Sequence, residues 1–223
     1  MAVSGYTIEP IESAPFGEVS YLAWLSGGAE AIVVDPGFDT DSILETLSRE
    51  GLRLVAILNT HGHADHIAGN AAMKQAFPDA PLVIGRNEAR LLEDADANLS
   101  APFGMPFTSP PADRLLADGE RFEIAGFSFE VREIPGHSPG SVVFVCDQFD
   151  PPFVFGGDVL FAGSVGRTDL GGNTGQLLSG IRTKLFNLPD AALVLPGHGP
   201  ATTVGAEKRS NPFVGERAGP YNL

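Results

Sequence analysis

Polar and apolar positions follow two rhythms along this chain, and each predicts a different kind of element. In the first half, short unbroken apolar runs at 21–25, 31–34 and 54–58 predict strands buried on both faces, because a strand with one wet face would alternate. The run at 31–34 stops at Asp35-Pro36-Gly37, a turn composition. Beyond it, Ile43, Leu44 and Leu47 share one helical face, Thr40 or Asp41 can cap the start, and Gly51 follows the end. A helix is therefore predicted over 39–50. A second helix is predicted over 65–77, where Pro78 ends it, then a strand over 82–84 and a helix over 87–98.

This alternation of strand and helix predicts a largely buried sheet flanked by helices. The second half changes rhythm. Residues 127–132 alternate with period two, and apolar runs at 141–146 and 153–155 follow quickly, as adjacent strands with short connections would. A helix over 176–186 and a strand over 191–195 complete the pattern. Two such halves can stack their sheets face to face with helices outside. No Pro/Gly/Ser linker divides them, so residues 1–223 are expected to form a single domain. Residues 98–113 form a loop rich in Pro and Phe, including Pro102, Phe103, Pro106 and Phe107. It is either an arm whose rings tuck onto the core or a flap beside a substrate.

Composition narrows the functional classes. Acidic residues number 28 against 14 basic ones, a net charge of -14, which disfavours nucleic acid as a partner. No run approaches the roughly 18 apolar residues of a membrane span. The start of the chain, Met1 to Tyr6, has neither the basic residues nor the apolar run of a signal peptide. Cys146 is the lone cysteine; set within Val142-Val143-Phe144-Val145 it is expected to be a buried, inert thiol. A reducing cytoplasm is the expected location.

The candidate chemistry lies in five histidines. His61, His63, Asp65 and His66 fall within six residues directly after an apolar strand. Imidazole nitrogens and carboxylate oxygens are ligands that zinc, iron and manganese accept, and four of them within six residues at a strand-to-helix turn are too crowded to converge on one tetrahedral ion. The spacing lets His61 and His63 converge on one ion, while Asp65 and His66 on a first helical turn point toward a second. His137 in Gly136-His137-Ser138 and His198 in Gly197-His198-Gly199 also follow predicted strands, as does Asp158 after Gly156-Gly157. Asp35, Thr60 and Ser138 are candidates to orient ligating histidines from behind. Arg167 and Asp169 either line a substrate mouth or pair with each other. Lys208 and Arg209 are expected on a solvated helix face rather than at a substrate carboxylate.

The ordered set His61-Gly62-His63-Ala64-Asp65-His66, Gly136-His137, Asp158 and Gly197-His198 resembles the metallo-β-lactamase superfamily. The segment 163–169 and the tail 207–213 are most similar to the short type II glyoxalases, the hydroxyacylglutathione hydrolase-like branch. The resemblance implies an α+β fold, a four-layer αββα sandwich with the metal site along one edge of the packed sheets. It also implies His61, His63 and His137 on a first metal, Asp65, His66 and His198 on a second, and Asp158 bridging both. Cofactors would be two divalent metal ions, zinc first, with iron or manganese as alternatives. The expected activity is a metal-dependent hydrolase of thioesters such as S-lactoylglutathione, using a metal-bridged hydroxide, with Asp65 and Asp158 in catalytic roles. Its partner is then a small-molecule thioester or other activated carbonyl compound, with no nucleic acid and no membrane. The rival expectation within the same superfamily is a mononuclear iron persulfide dioxygenase using His61, His137 and Asp158. A superfamily nuclease and a non-enzymatic flavodiiron-like module are weaker alternatives.

Overall fold

The computed structural model describes residues 2, 3 and 5–219. A seven-stranded mixed sheet takes the first half in chain order: β1 (Ala2–Val3), β2 (Tyr6–Ser13), β3 (Glu18–Leu25), β4 (Glu30–Val34), β5 (Arg53–Asn59), β6 (Leu82–Gly85) and β7 (Arg114–Leu116). The first four strands pair antiparallel, and β4 to β7 run parallel. The second sheet contains β8 (Arg121–Ile124), β9 (Phe127–Glu133), β10 (Val142–Cys146) and β11 (Phe153–Gly157), followed after the small hairpin β12 (Leu160–Phe161) and β13 (Ser164–Val165) by β14 (Leu193–Pro196) and β15 (Thr202–Thr203). Its spatial order is β15-β14-β11-β10-β9-β8. The helices are α1 (Thr40–Glu50), α2 (Ala64–Ile67), α3 (Asn70–Ala76), α4 (Ala89–Glu93), α5 (Thr174–Gly180) and α6 (Val204–Ser210).

Side-chain alternation sorts the unbroken apolar runs into layers. In β10, Val142, Phe144 and Cys146 face the other sheet, whereas Val143 and Val145 face α5 and α6. In β4, Ile32 and Val34 join the inter-sheet core, and Ala31 and Val33 pack toward α1 and α3. Both faces of both sheets are thus covered, which is why these strands show no polar alternation. The result is the α+β, four-layer αββα sandwich implied by the sequence. Burial pushes the Cys146 thiol up to about 11, as expected of an inert core cysteine. No helix among the described residues is long and apolar enough to cross a membrane.

Three predicted helices are corrected. The one expected over 65–77 is two, α2 and α3. The His66 carbonyl accepts the Asn59 side-chain amide at 3.1 Å, and a Cβ on Gly69 would lie 2.7 Å from the Gly37 carbonyl. The Gly69 amide donates to the Pro36 carbonyl at 2.8 Å, so the chain leaves the helical ladder to bond with the turn after β4. The helix expected over 87–98 stops at Glu93, where the Asp94 carboxylate accepts the amides of Asp96 and Ala97 and caps a turn instead. The helix expected over 176–186 divides into α5, capped by Asn173, and a π-helical turn at Ile181–Leu185. The helix expected over 39–50 is α1, Thr40–Glu50, and its cap is Asp39 rather than Thr40 or Asp41.

Candidate metal centre

All seven ligand candidates meet at one edge of the sandwich because strands of both sheets end there. His61 and His63 lie on the turn leaving β5, and Asp65 and His66 lie in α2. His137 follows β9, Asp158 follows β11, and His198 follows β14. Backbone bonds tie the two sheets together at this edge. Val142 N donates to the Thr60 carbonyl, and Val19 N donates to the Gly197 carbonyl, both at 2.8 Å. The Tyr21 hydroxyl also donates to Pro196 O.

The ring nitrogens and carboxylates form two groups. His61 Nε2 and His63 Nδ1 lie 3.2 and 2.9 Å from His137 Nε2. In the second group, Asp65 Oδ2 lies 3.3 Å from His198 Nε2 and 4.0 Å from His66 Nε2. Asp158 stands between them, with Oδ1 3.4 Å from His66 Nε2 and Oδ2 3.4 Å from His137 Nε2 and 3.6 Å from His198 Nε2. Each triad has ligand atoms close enough to share one ion.

Groups behind the cluster set which nitrogen faces inward. The His137 Nδ1 position bonds to the Arg167 carbonyl at 2.8 Å, and His198 Nδ1 bonds to the Gly17 carbonyl at 3.2 Å. Asp35 holds His66 Nδ1 at 3.2 Å, while its carboxylate also accepts the Thr60 amide and hydroxyl at 2.7 and 2.6 Å. Asp35, His61 and His66 form a third triad within ligand distance. The Asp35 oxygens are already engaged by these donors, so Asp35 serves as an anchor, in the way carboxylates hold ligating histidines. Ser138 bonds to Ser141 and donates to Glu88 Oε1. Glycine is required beside the ligands: a Cβ on Gly62 would lie 2.4 Å from Leu91 Cβ, and one on Gly197 would lie 2.4 Å from Asp158 Oδ1.

Electrostatics favour a bound cation. Burial, reinforced by neighbouring imidazoles, holds His61 well below its ordinary value and His63 down to about 3. Burial likewise lowers His137. These rings are neutral, the form that ligates. Burial alone would raise Asp158 and Asp65, yet both are lowered, chiefly by the positive field of His66. Burial would lower His66, yet the two carboxylates raise it well above the imidazole range. The same field that retains a proton there attracts a metal. His66 Nε2 and Asp158 Oδ1 are buried and have no hydrogen-bond partner among the described residues. A metal ion would satisfy both, so the donor set fits divalent cations of the zinc and iron type.

A cleft of about 300 Å³ opens over the cluster, with His63, Asp65, His137, Asp158 and His198 on its floor. Asp65 and His198 keep side-chain exposures of 20% and 27%. In the loop at 98–113, Phe107 packs against the core beside α1 and α3, and Phe103 and Met105 line the cleft. Arg167 also lines the cleft and pairs with Asp169. Lys208 and Arg209 bond to Asp190 and are absent from the cleft lining.

Sequence reasoning missed Glu88. Its buried carboxylate accepts Gly62 N, Gly140 N and the Ser138 hydroxyl, joining the turn of His61 and His63 to the loop of His137. The sequence placed it in the helix expected over 87–98. A lone Glu there carries no signal until the two loops are brought together around it.

The model of the metallo-beta-lactamase superfamily matches residues 14–198. Hydroxyacylglutathione hydrolase GloC of Haemophilus influenzae is 35% identical over 215 residues, covering 95% of this chain and 99% of that one. The crystal structure of BLEG-1 B3 metallo-beta-lactamase superposes with a TM-score of 0.88 at 39% identity, covering 93% of this chain and 99% of that one. TTHA1623 in a di-iron-bound form superposes at 0.80 with 37% identity, covering 92% and 99% respectively.

Proposed function

Because the chain belongs to the metallo-beta-lactamase superfamily of metal-dependent hydrolases, we propose that it hydrolyses a thioester on a dinuclear centre. The observation that carries this reading is the position of Asp158 within 3.4–3.6 Å of imidazoles from both ligand groups. His61, His63 and His137 would hold one ion and Asp65, His66 and His198 another, with Asp158 placed within reach of both groups. When bound, two divalent ions supply Lewis acidity and lower the pKa of water toward neutrality.

The remaining chemistry belongs to the chain. Asp65 Oδ2, 3.3 Å from His198 Nε2 at the cleft floor, orients the attacking water and takes up its proton. The cleft walls hold the acyl carbonyl against that floor and limit access of bulk water. A thiolate leaves as a stable anion, so no separate general acid is required. The name of the Haemophilus influenzae relative supports a thioester of the S-lactoylglutathione type as a first substrate to try. The di-iron form of TTHA1623 supports room for two ions and keeps iron beside zinc as a native metal.

The test is metal content of the purified protein measured together with turnover of S-lactoylglutathione and simpler thioesters. Two metals per chain with thioester hydrolysis is the expected outcome. One iron per chain, with oxygen uptake in the presence of glutathione persulfide, would replace this reading with the dioxygenase.

A further inference from the structure

The walls of the cleft differ chemically from its floor. Of the five large apolar side chains exposed among the described residues, three, Phe103 (51%), Met105 (37%) and Leu170 (38%), stand on this one cleft, whereas Leu115 and Phe213 lie elsewhere. They come from two segments far apart in sequence. None belongs to the three packed cores, so core packing does not account for them. Phe16, Leu99 and Phe161 continue the same apolar lining inward. The wall is also anchored. Ring centroids step from Phe103 to Phe16 at 5.9 Å, to Phe38 at 5.9 Å and to Phe107 at 6.1 Å, and Phe107 packs on the core. An apolar patch held in place around a reactive floor is the signature of a ligand surface.

Charge points the same way. Arg167 is the one Lys or Arg among the described residues of the lining, and Asp169 pairs with its guanidinium through two bonds of 2.8 Å. In the adjoining cleft Arg90 is engaged by Asp94 at 2.8 Å. A tripeptide such as glutathione presents two carboxylates, and among the described residues the cleft offers them no cation without an acidic partner.

Given the hydrolase reading above, we propose that the substrate carries an uncharged apolar chain of several carbons beside the scissile carbonyl, and that Phe103, Met105 and Leu170 select it. The chain lies on either the acyl or the thiol side of the ester. Both placements use the same cleft chemistry.

Two series of substrates separate those sides for the metal-loaded protein. One lengthens the acyl group on N-acetylcysteamine, and the other lengthens an alkyl thiol on a fixed acetyl group. On one series kcat/KM should rise about fourfold per methylene until the cleft fills. The longest chains should exceed S-lactoylglutathione. Replacing Phe103→Ser together with Leu170→Ser, both exposed, should flatten the slope to under about twofold per methylene. Arg90→Ala should change kcat/KM less than about twofold, whereas loss of a charge-assisted carboxylate contact would cost about tenfold or more. Non-cleavable thioethers of N-acetylcysteamine should bind the metal-free protein with the same length dependence, read by calorimetry. Flat slopes in both series with efficient turnover of S-lactoylglutathione, or a tenfold loss in Arg90→Ala, would overturn the proposal and leave the hydrolase reading standing. Length-dependent thioether binding without hydrolysis of any thioester would do the reverse.

Discussion

Asp35 has φ +49°, a conformation uncommon for a residue with a side chain, and its two oxygens meet three donors. The Thr60 amide bonds to Oδ1, while the Thr60 hydroxyl and His66 Nδ1 meet Oδ2. Asp35→Asn keeps the shape but faces an NH₂ group toward donors, so His66 loses its anchor. The expected result is about 10–100-fold weaker binding of the ion proposed for Asp65, His66 and His198. The ion at His61, His63 and His137 should be less affected, and stepwise metal titration distinguishes the two. The ligand candidates and the polar residue behind them were legible because each is a chemically distinctive type beside a strand end. The orphaned atoms His66 Nε2 and Asp158 Oδ1 were not, since only the packing removes their water.

Between elements, Glu88 does what Asp35 does within one turn. Both of its oxygens accept hydrogen bonds: Gly62 N at Oε2, and Gly140 N with the Ser138 hydroxyl at Oε1. In Glu88→Gln, either orientation of the amide sets an N–H against a buried backbone N–H. An unsatisfied buried donor costs about 1–3 kcal/mol. For a chain of this length Tm should fall by about 2–4 °C per kcal/mol, as measured by calorimetry on the metal-free protein. Strand runs such as 54–58 were readable as elements because burial on both faces leaves an unbroken apolar stretch. Helix lengths were not, because the break before α3 depends on Gly69 meeting the turn at Gly37, a contact between segments about thirty residues apart. β2 also escaped prediction: Pro10 interrupts its apolar alternation, and pairing with β3 rather than its own pattern defines it.

At the scale of the molecule, the cluster links stability to metal. The folded chain concentrates buried imidazoles and carboxylates that the unfolded chain leaves in water, so ions bound there favour the native state. At a hundredfold excess over Kd a single ion adds about 2.7 kcal/mol. Removing metal with a chelator should therefore lower Tm by about 5–10 °C, and adding back zinc or iron should restore it in differential scanning calorimetry. A Tm indifferent to chelation would count against a native metal at this edge. The amino-acid order was enough to declare the layered architecture and the seven ligand candidates, because apolar periodicity and rare metal-binding side chains are local signals. Folding was needed to bring β5, β9, β11 and β14 to one edge, to set Asp158 between two groups, and to raise apolar walls over a charged floor. Those features are distances between residues remote in sequence, and no local pattern of polarity encodes them.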